Sequence, residues 1–191
     1  VAALVLANNY EQTLALSVAR KHGMADLAQQ ARFVAIMEQR GLLDRDVETL
    51  PSAAAFSKRE ARREPLTRAE LGVLLAYAKM VLLDDLAASA LPDEPYLERD
   101  LMEYFPDRMA KKYAPEIASH RLRREIIATQ LANDAINRGG PTFVSRLQDM
   151  TGCPADEVIE AYVLVRDGFA LPALYAEIDA LDSKIDGQAQ L

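Results

Sequence analysis

The 191-residue sequence contains few of the residues from which metal and nucleophilic sites are usually built. It has one cysteine, Cys153, two histidines, His22 and His120, and no tryptophan. A single cysteine cannot form an internal disulfide, so a reducing compartment is expected. Zinc sites usually recruit cysteines and histidines in close pairs, and no such pair occurs here. The composition therefore argues against a disulfide-stabilised domain and against a zinc centre.

The sequence also lacks a long apolar run and an excess of positive charge. Its most apolar stretch, residues 71–83, is shorter than the roughly 18 residues that span a bilayer, and Lys79 interrupts it. The formal net charge of −7 disfavours broad binding to nucleic acids or to anionic membranes. We therefore expect a cytoplasmic protein without nucleic-acid or membrane partners.

The first residues of the sequence do not have the pattern of a targeting segment. Residues 1–4 include neither an initiator methionine nor a basic segment followed by a cleavage site. We expect the sequence to be an internal piece of a longer chain, although a trimmed expression product has the same appearance.

Helix starts and stops recur along the whole sequence, and no segment alternates apolar and polar residues over the length of a strand. The predicted fold class is all-α, a multi-helix, bundle-like domain of antiparallel helices joined by short Gly/Pro turns. The predicted helices cover approximately residues 4–22, 24–40, 52–62, 67 to a turn at 91–95, 96–105, 107–113, 115–138, 141–150, 154–168 and 172–185.

The pattern also predicts how the chain is divided. Residues 1–41 are expected to form an N-terminal helical hairpin with antiparallel helices. Residues 42–66 are rich in helix breakers and charges, and are predicted to be a linker with a short helix. Residues 67–191 form the predicted main helical body. A single domain over residues 1–191 is the alternative.

Two glycines are predicted to end the helices of the hairpin. Gly23 and Gly41 follow the first and second helix at C′ positions. Glycine at C′ can adopt the left-handed conformation that closes a helix.

The clearest local signal lies at Leu66–Leu71. Thr67 can accept from the Glu70 amide and Glu70 from the Thr67 amide, which is a capping box, and Leu66 can pack on Leu71. The helix that follows has almost no polar face, which predicts that other protein encloses it. Apolar residues also lie on more than one side of the helix predicted over 115–138, since Ile127 and Leu131 lie roughly opposite Leu122. Such surfaces indicate a need for a partner.

Isolated residues with reactive side chains each have a simpler structural interpretation. Cys153 precedes a helix whose dipole can lower a thiol pKa, but no histidine lies near it in sequence, so a packed or helix-capping cysteine is favoured. Lys79 can be interpreted as an activated amine, but a snorkelling lysine, or one paired with Asp84, Asp85 or another carboxylate, is commoner. His22 is expected to contact the C-terminal end of a helix dipole.

Two further features leave a ligand pocket as the alternative to a structural role. Gly139 and Gly140 can let a phosphate approach the backbone, but they follow a helix rather than a strand, so a helix C-cap is favoured. Thr129, Asn133 and Asn137 lie at intervals of four residues on one side of a predicted helix. Buried polar groups need hydrogen-bond partners, so this stripe is expected to fix the register between helices.

Basic residues concentrate at 58–63 and at 120–124. Nucleic-acid binding would call for more positive charge and interleaved aromatic residues. Salt bridges between helices or subunits are the favoured use of these residues.

Five sequence blocks, spread over nearly the whole chain, also match the pattern of a known family. They are residues 9–17 (NYEQTLALS), 66–79 (LTRAEL through LAYAK), 104–106 (YFP), 120–126 (HRLRREI) and 133–142 (NDAINRGGPT). In these blocks the chain resembles the C-terminal helical region of the large-subunit bacterial NAD-specific glutamate dehydrogenases.

The resemblance implies that the parent enzyme deaminates L-glutamate oxidatively to 2-oxoglutarate and ammonia, with NAD as hydride acceptor. It implies that the substrate-binding and NAD-binding domains lie before Val1. No catalytic, cofactor-binding or metal-binding residue is therefore assigned in this chain, and the fragment alone is expected to be inactive and to bind no cofactor.

The expected role is structural, in oligomerisation or in regulation. The expected partners are the catalytic domains of the same chain and the neighbouring subunits of a homo-oligomer. A free-standing helical module that binds another protein is the alternative function, and a nucleic-acid-binding module is a third.

Overall fold

The computed structural model describes residues 2–186 and 189 of the chain, and those residues contain helices and turns but no strand. The helices are α1 Ala2–Lys21, α2 Leu27–Gln39, α3 Ala53–Arg62, α4 Arg68–Ala88, α5 Glu98–Glu103, α6 Asp107–Lys112, α7 Ala114–Ala118, α8 Arg123–Gly139, α9 Phe143–Thr151, α10 Ala155–Gly168 and α11 Leu171–Asp179. Short 3₁₀ turns at Leu91–Asp93 and Pro95–Leu97 occupy the predicted proline turn. The all-α, multi-helix fold class is confirmed.

The core forms around the pair of helices α4 and α8, which make the most extensive contact in the fold. Leu71, Leu74 and Leu86 of α4 are fully buried, as are Ile127 and Leu131 of α8. Helix α1 packs on both central helices, α5 and α9 pack on α8, and α10 packs on α9 and α4. Burying large aliphatic side chains on facing helices is the main force that holds the fold together.

The capping box at the start of α4 is confirmed. The Glu70 amide donates to Thr67 Oγ1 at 3.3 Å, and the Thr67 amide donates to Glu70 Oε2 at 2.7 Å. The flanking side chains of Leu66 and Leu71 are both buried. A Thr cap of this kind stabilises a helix by about 1 kcal/mol.

Helix α4 keeps one open side in this chain. Ala76, Met80 and Asp84 follow one another at intervals of four residues, and all three are exposed, with Met80 at 57%. The predicted enclosure of α4 is therefore incomplete within this chain.

The prediction of one long helix over 115–138 is wrong, because residues 119–122 interrupt it and separate α7 from α8. The Ser119 hydroxyl donates to the carbonyl of Pro115, and His120 Nδ1 accepts from the Leu122 amide at 3.2 Å. Side chains that bond to nearby backbone groups compete with the helical hydrogen bonds. The sequence pattern is apolar on both sides of the break, which hides it from an analysis of periodicity.

The two glycines predicted to close helices behave differently. Gly41 has φ +69° and ends α2 in the expected left-handed conformation. Helix α1 ends at Lys21, just before Gly23, as predicted, but Gly23 does not have a positive φ, so the prediction of a left-handed conformation there is wrong. A Cβ at Gly23 would lie 2.7 Å from the Cβ of Pro65, so glycine allows this close approach between distant segments.

The first two helices pack mainly on other elements. Helix α1 contacts α4 and α8, whereas α2 contacts α3. The predicted division of the chain at residues 41 and 66 stays a prediction.

Candidate functional site

The most concentrated group of charges surrounds Arg166 of α10, which is 5% exposed. Its Nη1 donates to Asp100 Oδ1 of α5 at 2.9 Å and to Asp134 Oδ2 of α8 at 3.0 Å. Its Nε donates to Asp167 Oδ1 at 2.8 Å. Asp100 itself is 4% exposed. One guanidinium therefore joins three helices through a buried network, which we call the Arg166 network.

The electrostatics of the Arg166 network favour a fixed charge rather than proton transfer. Burial alone would lower the pKa of Arg166, but the hydrogen bonds that its guanidinium donates to Asp167 and Asp100 outweigh this effect and raise that pKa. Burial opposes ionisation of Asp167, yet Arg166 and Arg99 hold its pKa below the usual range. A guanidinium stays protonated near neutral pH. The Arg166 guanidinium therefore connects helices as a fixed positive charge.

Lys79 lies in α4 without an ion pair among the described residues. Burial lowers the pKa of its amine to about 8, and the negative charge of Glu11 opposes this shift. The predicted partners do not reach it, since Asp85 instead pairs with Arg40 at 3.7 Å. The buried Nζ donates no hydrogen bond within the described part of the chain.

Cys153 and the two histidines have structural surroundings. Cys153 is half-buried against the core, and its amide donates to Thr151 Oγ1 at 3.2 Å, which fits a packed cysteine. The His120 ring contacts Phe105 edge to face at 6.2 Å between centroids. His22 lies in the turn that follows α1, with its amide donating to the Val18 carbonyl. None of these residues faces a catalytic partner in the described structure.

The polar stripe of α8, which consists of Thr129, Asn133 and Asn137, fixes the register between helices only in part. Asn137 is buried, and its Nδ2 donates to Asn8 Oδ1 and to Glu11 Oε2 of α1, at 3.3 Å each. Thr129 is partly exposed and donates to a carbonyl of its own helix at 2.6 Å. Asn133 is also partly exposed. The expected cross-helix contact therefore holds for Asn137 and not for Thr129.

Arg59 of the first basic cluster and Arg123 and Arg124 of the second form ion pairs between elements, as predicted. Arg59 of α3 donates to both carboxylate oxygens of Glu70, at 2.8 and 2.7 Å. Burial opposes ionisation of Glu70, but Arg59 and the Thr67 cap hold its pKa below the usual range. Arg124 pairs with Asp93 and donates to the carbonyl of Ser89, the C-cap residue of α4. These side chains therefore serve the fold.

The Gly139–Gly140 turn ends α8, as predicted, and borders a polar cavity. Gly140 has φ +85°, and α9 begins three residues later. The cavity has a volume of about 240 Å³ and is also lined by Gln30, Asn137 and Arg146. The sequence does not predict that α2 borders this cavity, because nothing in the local pattern indicates that α2 and α9 meet.

An apolar surface on α10 and α11 is left exposed by the described part of the chain. Helical spacing places Ala161, Leu164, Val165 and Phe169 on one side of α10 and its end, and Leu174 follows in α11. The exposed fractions are 61% for Leu164, 51% for Val165, 77% for Phe169 and 49% for Leu174. We call these five residues the apolar face. Contiguous exposed apolar residues typically mark an interaction surface.

The surfaces expected to need a partner lie elsewhere than predicted. Ile127 and Leu131 are fully buried in the core of this chain, and Leu122 is 45% exposed.

Within residues 2–186 and 189, no group of three or more His, Cys, Asp or Glu side chains has an arrangement that could hold a metal ion. No helix in the same residues is long and apolar enough to cross a bilayer.

Three bacterial proteins are similar to this chain over nearly all of its length. The NAD-specific glutamate dehydrogenase of Pseudomonas aeruginosa is 45% identical over 191 residues, which cover 100% of this chain and 12% of the relative. The enzyme of the same name from Halomonas elongata is 43% identical over 190 residues, with the same two shares. That from Mycobacterium tuberculosis is 31% identical over 185 residues, which cover 97% of this chain and 11% of the relative.

The chain therefore spans about 12% of the length of the first two relatives. A family described as "Glutamate dehydrogenase, C-terminal" matches residues 63–191, which is more than half of the chain. This match includes the α4 capping box, the Arg166 network and the apolar face. The chain belongs to this glutamate dehydrogenase C-terminal family.

Proposed function

We propose that this chain is the non-catalytic C-terminal helical region of an NAD-dependent glutamate dehydrogenase. The parent reaction is then the oxidative deamination of L-glutamate to 2-oxoglutarate and ammonia with reduction of NAD. This activity is the one for which the relatives are named, and the chain covers only about 12% of each of the first two. The Arg166 network and the Arg59–Glu70 pair are ion pairs within the fold, which supports a structural role for this region.

The apolar face is the observation that carries the proposal. Three of its side chains, Leu164, Val165 and Phe169, are more than half exposed on one side of α10 and its end. Exposing such a surface to water is unfavourable, and covering it contributes about 25 cal/mol per Å². Its proposed occupant is the catalytic part of the same polypeptide, because the relatives have most of their length outside the matched segment.

This packing would hold the catalytic domains in place and stabilise the assembly. Neighbouring subunits of a homo-oligomer are the second partner that we propose for the region. The chemistry of hydride transfer would occur in the catalytic domains, and NAD would bind there.

The experiment compares two variants of the full-length natural protein, Phe169→Ser and Met150→Ser. Both side chains are exposed to a similar extent in this chain, at 77% and 74%, and Met150 lies on α9 away from the apolar face. Glutamate-dependent formation of NADH is followed before and after heating. We expect Phe169→Ser to inactivate at a temperature several degrees lower than the wild type, and Met150→Ser to behave like the wild type.

The free-standing binding module predicts a different result. In that case Phe169→Ser leaves the thermal inactivation of any dehydrogenase activity unchanged. The same result would contradict the proposed packing. Absence of glutamate-dependent NADH formation by the full-length wild-type protein would contradict the proposed activity itself.

A further inference from the structure

The open side of α4, which consists of Ala76, Met80 and Asp84, combines exposed apolar atoms with a carboxylate. Met80 is 57% exposed, and Asp84 follows about 6 Å further along the helix axis. Asp84 is exposed and makes no ion pair among the described residues, whereas its neighbour Asp85 pairs with Arg40 at 3.7 Å. Within the described part of the chain, the apolar and the acidic part of this side are therefore both left open.

Further carboxylates lie beside the open side of α4, in residues 44–48. The Tyr77 hydroxyl donates to Glu48 Oε1 at 2.7 Å, and Tyr77 lies three residues before Met80 on α4. The hydrogen bond to Glu48 is the main cause of a raised Tyr77 pKa, and burial and the negative charges of Glu48 and Asp44 add to it. Neither carboxylate has an ion pair in the described structure. The open side of α4 is therefore an apolar surface with an acidic rim.

Residues 107–113, which we call the basic segment, have the complementary character. No residue of α6 is buried, and Met109 and Tyr113, four residues apart, are 44% and 41% exposed. The segment carries three cations and one carboxylate, a formal charge of +2 in a chain with a net charge of −7. The cations, which are exposed and make no ion pair among the residues described, are Arg108, Lys111 and Lys112.

The other basic concentrations of the chain match the open side of α4 less well. At 58–63 the nearest large apolar side chain, Phe56, is 5% exposed and cannot cover a partner. At 120–124 two of the three arginines are already paired with Asp93. The basic segment does not cover the open side within its own chain, because α6 packs on α5 and α7 and Met80 stays exposed.

We propose that the basic segment of one subunit docks on the open side of α4 in a second copy of this chain. This inference rests on the proposed homo-oligomer and identifies two surfaces that meet in it. Met109 and Tyr113 cover Met80, and the lysines of the basic segment pair with Asp84 and Glu48 at the rim. Because two different surfaces meet, the contact is head-to-tail, and each subunit docks on one neighbour and receives another, as in a closed ring.

Both parts of the contact favour association. Covering Met80 removes apolar surface from water, which stabilises the complex. The opposite charges at the rim steer the two surfaces together and fix their relative orientation.

The test uses the full-length natural protein and a carbodiimide, which joins a lysine amine directly to a carboxylate in contact with it. Covalent dimers are separated from covalent monomers on a denaturing gel, and the crosslinked peptides of each are identified by mass spectrometry. We expect Lys111 or Lys112 to be joined to Asp84 or Glu48 in the dimer and not in the monomer, because the contact is between subunits. Sedimentation velocity of the untreated protein gives the number of subunits.

Two variants test the role of the open side of α4. Met80→Arg places a cation opposite the basic segment but leaves every reactive lysine and carboxylate in place. It should lower the yield of these crosslinks about tenfold or more, because like charges facing each other across an interface are unfavourable. Met150→Arg is the matched control, since Met150 is 74% exposed on α9, and it should leave the yield unchanged. Circular dichroism of both variants distinguishes a lost contact from unfolding.

The remaining outcomes distinguish this inference from the proposed function. A full-length protein that sediments as a monomer contradicts the proposed homo-oligomer and this inference with it. An oligomer whose covalent dimers lack these crosslinks contradicts this inference alone. The same holds if the crosslinks occur within the covalent monomer, if Met80→Arg gives the wild-type yield, or if Lys111 and Lys112 are joined to the catalytic part of the polypeptide instead.

Discussion

Replacing Arg166 by methionine should destabilise the protein by about 3 to 5 kcal/mol, which is the usual cost of removing one partner from a buried ion pair. The cost arises mainly at Asp100, which is 4% exposed and would keep only the Arg99 guanidinium, 3.8 Å away, as a neighbouring cation. Asp134 and Asp167 also lose a hydrogen bond, but their side chains are 29% and 28% exposed and can be solvated.

Arg99 provides a matched control for the same chemistry at the surface. It donates to Asp167 at 2.7 Å, as Arg166 does at 2.8 Å, but its side chain is 48% exposed. Arg99→Met should therefore cost only about 0 to 1 kcal/mol. The difference between the two variants compares the loss of a buried guanidinium with the loss of a half-exposed one that shares two of its partners, Asp100 and Asp167.

The assay is urea unfolding at pH 7, followed by circular dichroism, with the slope m compared among variants. A third variant, Arg166→Met with Asp100→Leu, removes the unpaired charge as well and should recover part of the loss, because an apolar pair can replace a buried ion pair at little cost. Equal losses for Arg166→Met and Arg99→Met, within about 0.5 kcal/mol, would refute this reasoning. A double variant that is no more stable than Arg166→Met would refute the claim that most of the lost stability arises at Asp100.

Two further predictions concern the stability of the fold. Because burial lowers the pKa of Lys79 to about 8 in the folded state, the unfolded state binds more protons between about pH 8 and 10.5, and the free energy of unfolding should rise with pH across that window. Lys79→Met should remove this part of the rise and increase the free energy of unfolding at pH 7 by about 1 to 2 kcal/mol, after allowance for partial solvent exposure; a variant with the wild-type pH profile would contradict this. Gly23→Ala should cost about 1 to 3 kcal/mol by overpacking, because the added Cβ would lie 2.7 Å from the Cβ of Pro65. Gly72→Ala in α4 is the control for thermal unfolding, since its Cβ meets nothing within 4 Å and should stabilise by about 0.5 to 1 kcal/mol; equal melting temperatures for the two variants would speak against the steric argument.

Features that depend on residues close in sequence were predictable. The capping box at Thr67 and Glu70 involves groups three residues apart, so the local pattern determines it. The all-α class also follows from local signals, because helix starts, stops and periodicity recur along the chain. The positive φ of Gly41 belongs to the same class of local features.

Features that depend on distant residues were not predictable. Arg166 and Asp100 are 66 positions apart, and nothing in the sequence near either residue indicates the other. The close approach of Gly23 to Pro65 and the meeting of Arg146 with Gln30 at the cavity have the same origin. Tertiary packing decides these contacts, whereas propensity and periodicity report only on the neighbourhood of each residue.

The break between α7 and α8 illustrates a third case. The competing hydrogen bonds of Ser119 and His120 are local, but apolar residues on both sides of them continue the helical pattern. An interruption by polar side chains within an apolar pattern gives no signal comparable to that of a proline or a glycine.

The central claim, that the apolar face is covered in the full-length protein, can be measured by hydroxyl-radical footprinting. For each residue, the oxidation rate in the native full-length protein is compared with the rate in the denatured protein, which corrects for intrinsic reactivity. Phe56, which is 5% exposed, is the buried reference, and Met150, at 74%, is the exposed one. We predict that Phe169 is protected to the extent of Phe56, whereas protection no greater than that of Met150 would contradict the proposed packing.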